Sequence, residues 1–351
     1  MREAGRGRIP VVVDCDPGID DALALALLAA SPEFDLRAVT TVCGNVTVDH
    51  STRNAIRTLA ACDRPEVPVC QGATRPLVRS NPPYAPIHGL NGVGDVELAA
   101  APRETSAEPA LAAFERVLEP AAPGEITVIA LAPLTNIALL LAMRPDLADR
   151  IGLLAVMGAT IDRGNVTPFA EFNVWADPEA AFRVLAEGEV PTRLFTLAAT
   201  RKAAIDEPQR LELATWSPIA AKLAEMILGY DDHVTGAGWP LHDAMVVAGL
   251  LEPGIAELRE AAAIAVDTTT GPRRGATTVA WADPATAGAG AAPAADDRES
   301  ADPLAPDRHP GSGSAAPGRP RPLEVAIDAD PVRFWELLLE RIGPLASSRP
   351  A

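Results

Sequence analysis

The chain has 351 residues, of which 48% are hydrophobic and only 4% aromatic, and 30 basic residues stand against 47 acidic ones for a formal net charge of −17. That length can bury a full core, as one large α/β domain or two smaller ones. The acidic balance, with a pI near 4.7, argues against a surface built to neutralise nucleic-acid phosphates or to sit on an anionic membrane, and fits small-molecule chemistry better. Cys15, Cys43, Cys62 and Cys70 are widely spaced with no C-x-x-C pair, so neither a disulfide scaffold nor a zinc ribbon is expected and a reducing cytoplasm is the expected compartment. The Arg- and Gly-rich start leads into a Val run too short for a signal-peptide core or a membrane span.

Residues 9–13 read as a short buried strand and 20–30 as an apolar helix packed on a sheet. The alternation recurs: strand 36–43 then helix 49–62, strand 126–132 then helix 136–143, strand 151–157 then helix 178–187, and strand 192–197. This predicts a single α/β domain over 9–342 with a mostly parallel central sheet flanked by helices, a Rossmann-like open sheet. Ligands in such sheets bind beyond the carboxyl ends of the strands. Over 283–322, 27 of 40 residues are Ala, Gly, Pro or Ser, a composition that buries too little apolar surface to offset chain entropy and is expected to be a disordered insertion. Residues 323–327 then read as a returning strand and 331–342 as an amphipathic helix with Phe334, Trp335 and Leu338 on its apolar side.

The chemistry starts at Asp14-Cys15-Asp16-Pro17-Gly18-Ile19-Asp20-Asp21, four carboxylates within eight residues where a strand gives way to a helix. A single Asp at a helix start is ordinarily an N-cap, favoured by the free amides and the helix dipole. Four are harder to assign that way, and a hard divalent cation is the natural counter-charge, because calcium or magnesium collects several oxygen ligands. One reading makes this a magnesium-dependent phosphohydrolase with Asp14 as nucleophile and Asp16 as acid. That scheme needs a lysine to hold the phosphate, and only Lys202 and Lys222 exist.

The same stretch resembles the Asp-x-Asp-Pro-Gly-x-Asp-Asp-Ala signature of the nucleoside hydrolases, the inosine-uridine-preferring nucleoside N-ribohydrolase family. Thr40-Thr-Val-Cys-Gly-Asn45, Ile87-His-Gly-Leu-Asn-Gly-Val-Gly94, Leu131-Ala-Pro-Leu-Thr-Asn136, Met157-Gly158, Asn165 with Glu171-Phe-Asn173, and Leu241-His-Asp-Ala244 follow in that family's order. Several spaced motifs in order are a strong signal where any one is weak.

The resemblance implies a calcium ion held by Asp16, Asp21, Asp243 and the backbone carbonyl of Leu131, with Asp16 also the general base that takes a proton from the attacking water. Asp20 and Asn45 are expected to fix the 2′- and 3′-hydroxyls, and Asn165, Glu171 and Asn173 to grip the 3′- and 5′-hydroxyl side. Met157 is expected to make at most a ribose contact, and Asp14 to support the shell. Before those motifs are counted, Leu131 reads equally as a buried strand residue and Glu171-Phe-Asn173 as a solvated loop. The leaving base is a poor anion unless protonated, so an acid is expected opposite the water. His242, beside Asp243, is the first candidate and His88 the second; Tyr230 and His233 are pocket or plain loop residues, while His50 and His309 receive no role.

Gly158-Ala-Thr160 departs from a longer glycine run often seen in the family, and the 283–322 insertion replaces a normally short connection. Three functions compete: a calcium-dependent nucleosidase of nucleoside salvage acting on small-molecule ribonucleosides, the phosphohydrolase, and a non-catalytic protein that binds a ribosyl ligand. The resemblance also implies a homodimer or homotetramer and no nucleic-acid or membrane partner.

Overall fold

The computed structural model describes residues 7–80, 86–102, 104–230, 238–283 and 322–346. In chain order its strands and helices are β1 (Ile9–Cys15), α1 (Ile19–Ala29), β2 (Phe34–Thr41), α2 (Val48–Ala61), β3 (Val69–Gln71), α3 (Ala110–Leu118), β4 (Ile126–Ala130), α4 (Thr135–Met143), β5 (Ile151–Met157), α5 (Phe172–Ala176) and α6 (Pro178–Ala181). There follow β6 (Thr192–Phe195), α7 (Leu197–Thr200), β7 (Ala204–Ile205), α8 (Glu207–Leu213), α9 (Pro218–Leu228), β8 (Trp239–Pro240), α10 (His242–Leu251), β9 (Ala256–Val266), β10 (Thr277–Trp281), β11 (Leu323–Ala329) and α11 (Pro331–Ile342).

Nine strands form one sheet in the order β10-β9-β11-β6-β5-β4-β1-β2-β3, while β7 and β8 form a separate antiparallel pair. From β3 across to β11 every neighbouring pair is parallel; β9 runs antiparallel to β11, and β10 antiparallel to β9. The chain winds outward from β1 through β2 to β3, then returns to place β4 on the other side of β1. That reversal opens a crevice beyond the carboxyl ends of β1 and β4, where an open parallel sheet binds its ligands.

The period of two in a strand sorts β1 between two cores. Val11, Val13 and Cys15 pack with the Leu and Ala side chains of α1, whereas Val12 lies in the opposite core with Phe114, Val128 and Ile137. Helix α1 is buried from Ile19 to Leu28, which is why beyond Asp20 and Asp21 it is apolar on all sides rather than on one stripe. Asp330 begins α11 by accepting the Val332 and Arg333 amides at 2.9 and 3.1 Å, with Pro331 at the first helical position.

The single domain with a mostly parallel, helix-flanked sheet is as the periodicity predicts. The expected helix over 178–187 is divided: α6 ends at Ala181 and a π-helical turn occupies Phe182–Ala186. Strands β9 and β10 had no expectation attached to them, because Ala-Glu-Leu-Arg-Glu-Ala-Ala-Ala is a run of helix formers and pairing with β11 overrides that local preference. The 283–322 insertion lies almost wholly outside the described residues. Its anchors do not: Trp281 and Leu323 both pair with Ala261, on opposite sides of β9.

Packing around α10 yields a stability prediction. A Cβ on Gly249 would lie 2.5 Å from the Phe195 ring, and overpacking of this kind costs about 1–3 kcal/mol, more than the roughly 1 kcal/mol of helix propensity gained over glycine. Gly249→Ala is therefore expected to lower Tm by up to about 3 °C in a calorimetric scan. An unchanged or higher Tm would show that Phe195 repacks freely.

Candidate active site

The acid-bearing turn follows β1 directly, and Pro17-Gly18 redirects the chain into α1. Asp21 reaches back across this turn: its Oδ2 accepts the Gly18 amide at 2.8 Å and its Oδ1 the Asp16 amide at 3.4 Å. The Asn45 backbone N–H donates to Asp16 Oδ2 at 2.5 Å and its side-chain nitrogen lies 3.4 Å from Asp21 Oδ2, so Asn45 joins the two acids. Asp243 arrives from the first turn of α10, and one oxygen from each of Asp20, Asp21 and Asp243 lies within 4.8 Å of the others.

All four of these acids and Asp14 are buried, and none takes part in a salt bridge among the described residues. Burial raises Asp20 to about 8 and Asp21 to about 6, with Asp21 adding to the rise at Asp20. Asp16 and Asp243 are pushed well above the usual carboxylate range by burial and then by their acidic neighbours. Asp16 Oδ1 is buried without a hydrogen-bond partner. Buried acids of one sign with an orphaned oxygen are what a multidentate oxygen site for a hard cation looks like without its charge. The tightest convergence is Asp20, Asp21 and Asp243; Asp16 stands next to it through Asp21 and Asn45.

Asp14 lies behind these acids and is held by partners of its own. Its Oδ1 accepts the Thr40 hydroxyl at 2.6 Å and the Asn136 amide at 2.8 Å, and burial raises it to about 7. Neither lysine serves a phosphate there: Lys202 pairs with Asp328 at 3.4 Å and Lys222 with Glu225 at 2.7 Å. The phosphohydrolase reading therefore lacks its phosphate-holding group.

The Leu131 carbonyl, just past β4, accepts the Asn173 side-chain nitrogen at 2.9 Å; the same nitrogen lies 3.3 Å from Met157 O and 3.5 Å from its sulfur. Asn173 thus joins Leu131 and Met157 across neighbouring strand ends. Glu171 caps α5: Oε1 accepts the Asn173 amide at 2.8 Å, Oε2 accepts Ala159 and Val174 at 3.0 and 3.1 Å, and burial raises it to about 7. Three backbone amides make it a local organiser as well as a ribose candidate. Asn165 is half-buried, and its side-chain oxygen accepts the Phe172 amide at 2.9 Å.

His88 and His242 are both buried, and burial depresses their pKa values to about 4 and about 3, with Arg201 and His88 adding to the effect at His242. His88 Nδ1 accepts the Ile19 amide at 3.2 Å, which leaves its proton on Nε2 in the neutral ring. Its ring packs 5.0 Å from that of Tyr230, also buried. His242 Nδ1 shares a 2.7 Å hydrogen bond with Thr200 Oγ1. His233 lies outside the described residues.

Sequence reasoning missed Thr200 and Gly44. Thr200 sits in an unremarkable Leu-Ala-Ala-Thr run and acquires its role only because α7 packs on α10. Gly44 is part of a recognised motif, yet its need to lack a side chain shows only in space, where Asp16 fills the position of a Cβ.

The family model described as inosine-uridine preferring nucleoside hydrolase matches residues 11–336. A non-specific ribonucleoside hydrolase, RihC, from Klebsiella pneumoniae is 38% identical over 252 residues, 72% of this chain and 82% of that protein. A pyrimidine-specific ribonucleoside hydrolase, RihA, from Salmonella enteritidis is 38% identical over 257 residues, covering 70% and 81%. Among solved structures, a purine-preferring ribonucleoside hydrolase from Gardnerella vaginalis superposes with a TM-score of 0.79 at 27% identity, covering 97% of this chain and 100% of that one. A plant nucleoside hydrolase gives the same TM-score and identity over 96% and 99%. With the family model spanning 11–336 and its fold matched over nearly its whole length, this chain belongs to the inosine-uridine preferring nucleoside hydrolase family, enzymes that act on N-glycosyl compounds.

Proposed function

We propose that the protein hydrolyses ribonucleosides to ribose and free nucleobase, with a calcium ion held by Asp16, Asp21, Asp243 and the Leu131 carbonyl. The observation that carries this is the buried carboxylate cluster at the β1–β4 crevice, with Asp16 Oδ1 unpartnered. Three carboxylates and a carbonyl are hard oxygen donors suited to such an ion. Bound there, calcium supplies the positive charge that offsets the acids' repulsion and makes a coordinated water more acidic.

Asp16 takes the proton of the attacking water, whose oxygen bonds to the anomeric carbon as the bond from that carbon to the base nitrogen breaks. Positive charge develops on the ribose ring, and the surrounding carboxylates favour it. Asp20 and Asn45 hold the 2′- and 3′-hydroxyls, and Asn165, Glu171, Asn173 and Met157 enclose the far side of the sugar. His242, kept neutral by burial and oriented through Nδ1 by the Thr200 hydroxyl, offers its Nε2–H as a hydrogen bond to the departing base, which takes its proton from solvent, with His88 and Tyr230 lining the base side. A His before the last acid suits a broad purine and pyrimidine range, including inosine and uridine, and equally a pyrimidine-restricted one, between which the assay below decides. By family likeness the enzyme works as a homodimer or homotetramer in cytoplasmic nucleoside salvage. No helix among the described residues is long and apolar enough to cross a membrane.

The test is a reducing-sugar assay with inosine, uridine, cytidine and adenosine, with and without a calcium chelator. Ribose release is expected to vanish on chelation, to return with calcium, and to fall by about 10²–10⁴-fold in Asp16→Ala, the range for loss of a general base. Tight riboside binding without ribose release would favour a binding protein instead.

A further inference from the structure

Asn54 lies on α2, a helix that supplies none of the acids, and is 6% exposed. Its side-chain nitrogen donates to two carbonyls from different parts of the chain: Pro17 O at 3.1 Å, in the acid-bearing turn, and Asn91 O at 2.9 Å, in the loop that begins at His88. An amide nitrogen has two hydrogens to give, and both are used.

The loop on the receiving side is tied to itself. Asn91 Oδ1 accepts the Val93 and Asp95 amides at 2.8 and 3.0 Å, Asp95 Oδ1 accepts the Leu90 and Asn91 amides at 2.8 and 3.1 Å, and the Gly94 amide donates to His88 O at 2.8 Å. Gly92 has φ +89°, and a Cβ there would come within 3.1 Å of Asn54 Nδ2, so the loop approaches Asn54 at a point where only glycine fits. Gly94 packs against Met226 and Gly229 at the end of α9. Toward the acids the loop is joined by two polar links: Asn54 to the Pro17 carbonyl, and the Ile19 amide to His88 Nδ1 at 3.2 Å.

We infer that Asn54 is a positioning residue of the active site: it sets the distance between the His88 loop and the acid-bearing turn, and so the placement of the His88 ring over the substrate. The catalytic consequence rests on the reading of His88 as a wall of the nucleobase pocket; the structural one does not. Asn54 acts from behind, through two carbonyls, without touching the reacting atoms. Small displacements of aligned groups have large rate effects, so the loss of this tie is expected to exceed that of an ordinary surface contact.

The experiment pairs hydrogen exchange with a double-mutant cycle on the full chain. Asn54→Asp keeps the shape and removes both donors; Asn54→Ser takes its place if the first variant does not accumulate folded. The expected result is exchange at least tenfold faster at Val93–Asp95 amides with α1 amides unchanged. With uridine, kcat/KM is expected to fall about tenfold in the wild-type background and less than twofold in a His88→Ala background, the non-additivity of residues acting through one another. Unchanged exchange, or the same fractional loss in both backgrounds, overturns the inference. If the parent protein releases no ribose, the functional reading fails by itself and the exchange measurement still decides whether Asn54 holds the loop.

Discussion

Gly44→Ala is expected to remove nearly all ribose release while leaving the protein folded. A methyl group at this position would overlap the Asp16 carboxylate and lie 2.9 Å from Pro133 Cδ. Pro133 belongs to the loop after β4 and has little room to retreat, so the acid side chain moves. It then loses the Asn45 amide that holds Oδ2 at 2.5 Å and leaves the position at which the proposed mechanism has it take the proton of water. The loss in kcat should approach that of Asp16→Ala, about 10²–10⁴-fold, and the double variant should be little worse than either single one, as expected of residues that serve one function. Steady-state kinetics of the three variants checks this. A Gly44→Ala enzyme with kcat within a few-fold of the parent would take Asp16 out of the chemistry.

The second large effect is on stability. Asp14, Asp20 and Asp21 are raised to about 7, 8 and 6 in the folded chain from an ordinary value of 3.8, first by burial. Each binds a proton more tightly folded than unfolded. Their contribution is therefore complete below about pH 4 and is lost as pH rises through about 6 to 8, because the unfolded chain then ionises freely while the folded one ionises against burial. Chelated protein is expected to show a falling Tm between pH 5 and pH 8.5. Calcium should reverse the fall most strongly at the upper end, since deprotonated ligands bind it best. At a hundredfold excess over Kd, ligand binding contributes about 2.7 kcal/mol, which amounts to roughly 4 °C for a domain of this size. Thermal scans with chelator and with calcium across that interval decide the matter; identical curves at pH 8.5 would count against a metal at these acids.

Most of this candidate site is legible in the sequence because its chemistry is concentrated in short contiguous runs. Asp14 to Asp21 carry their spacing with them, and the strand-then-helix pattern around them places them at the carboxyl edge of a parallel sheet. The order of the later motifs made the remaining parts recognisable. What stayed hidden depends on distance through space: Thr200 meets His242 across 42 positions, and Asn54 meets Asn91 across 37. Neither partner has a local pattern that announces the other. The antiparallel edge was hidden for another reason, since the Ala-rich run of β9 has the composition of a helix and is made a strand by its neighbours. Glu171 is legible as a candidate site residue but not as a cap, because its three backbone amides are revealed only by the bend that begins α5.

The anchoring of the 283–322 insertion makes this chain a practical scaffold. Trp281 and Leu323 flank the same residue, Ala261, one on each side of β9, and two strand spacings put them about 10 Å apart. Leu323 begins a strand parallel to β6 and so marks the amino end of β11, while β10 runs in the same direction as β11 and Trp281 ends it at the same level. A gap that short can be bridged by a few residues or by many, because loop-closure entropy grows only as the logarithm of length; cutting forty residues to five changes it by about 2 kcal/mol. The position is thus suited to trimming for crystallisation, or to accepting a reporter domain or an immobilisation tag, at the β10 edge of the sheet and several strands removed from β1 and β4.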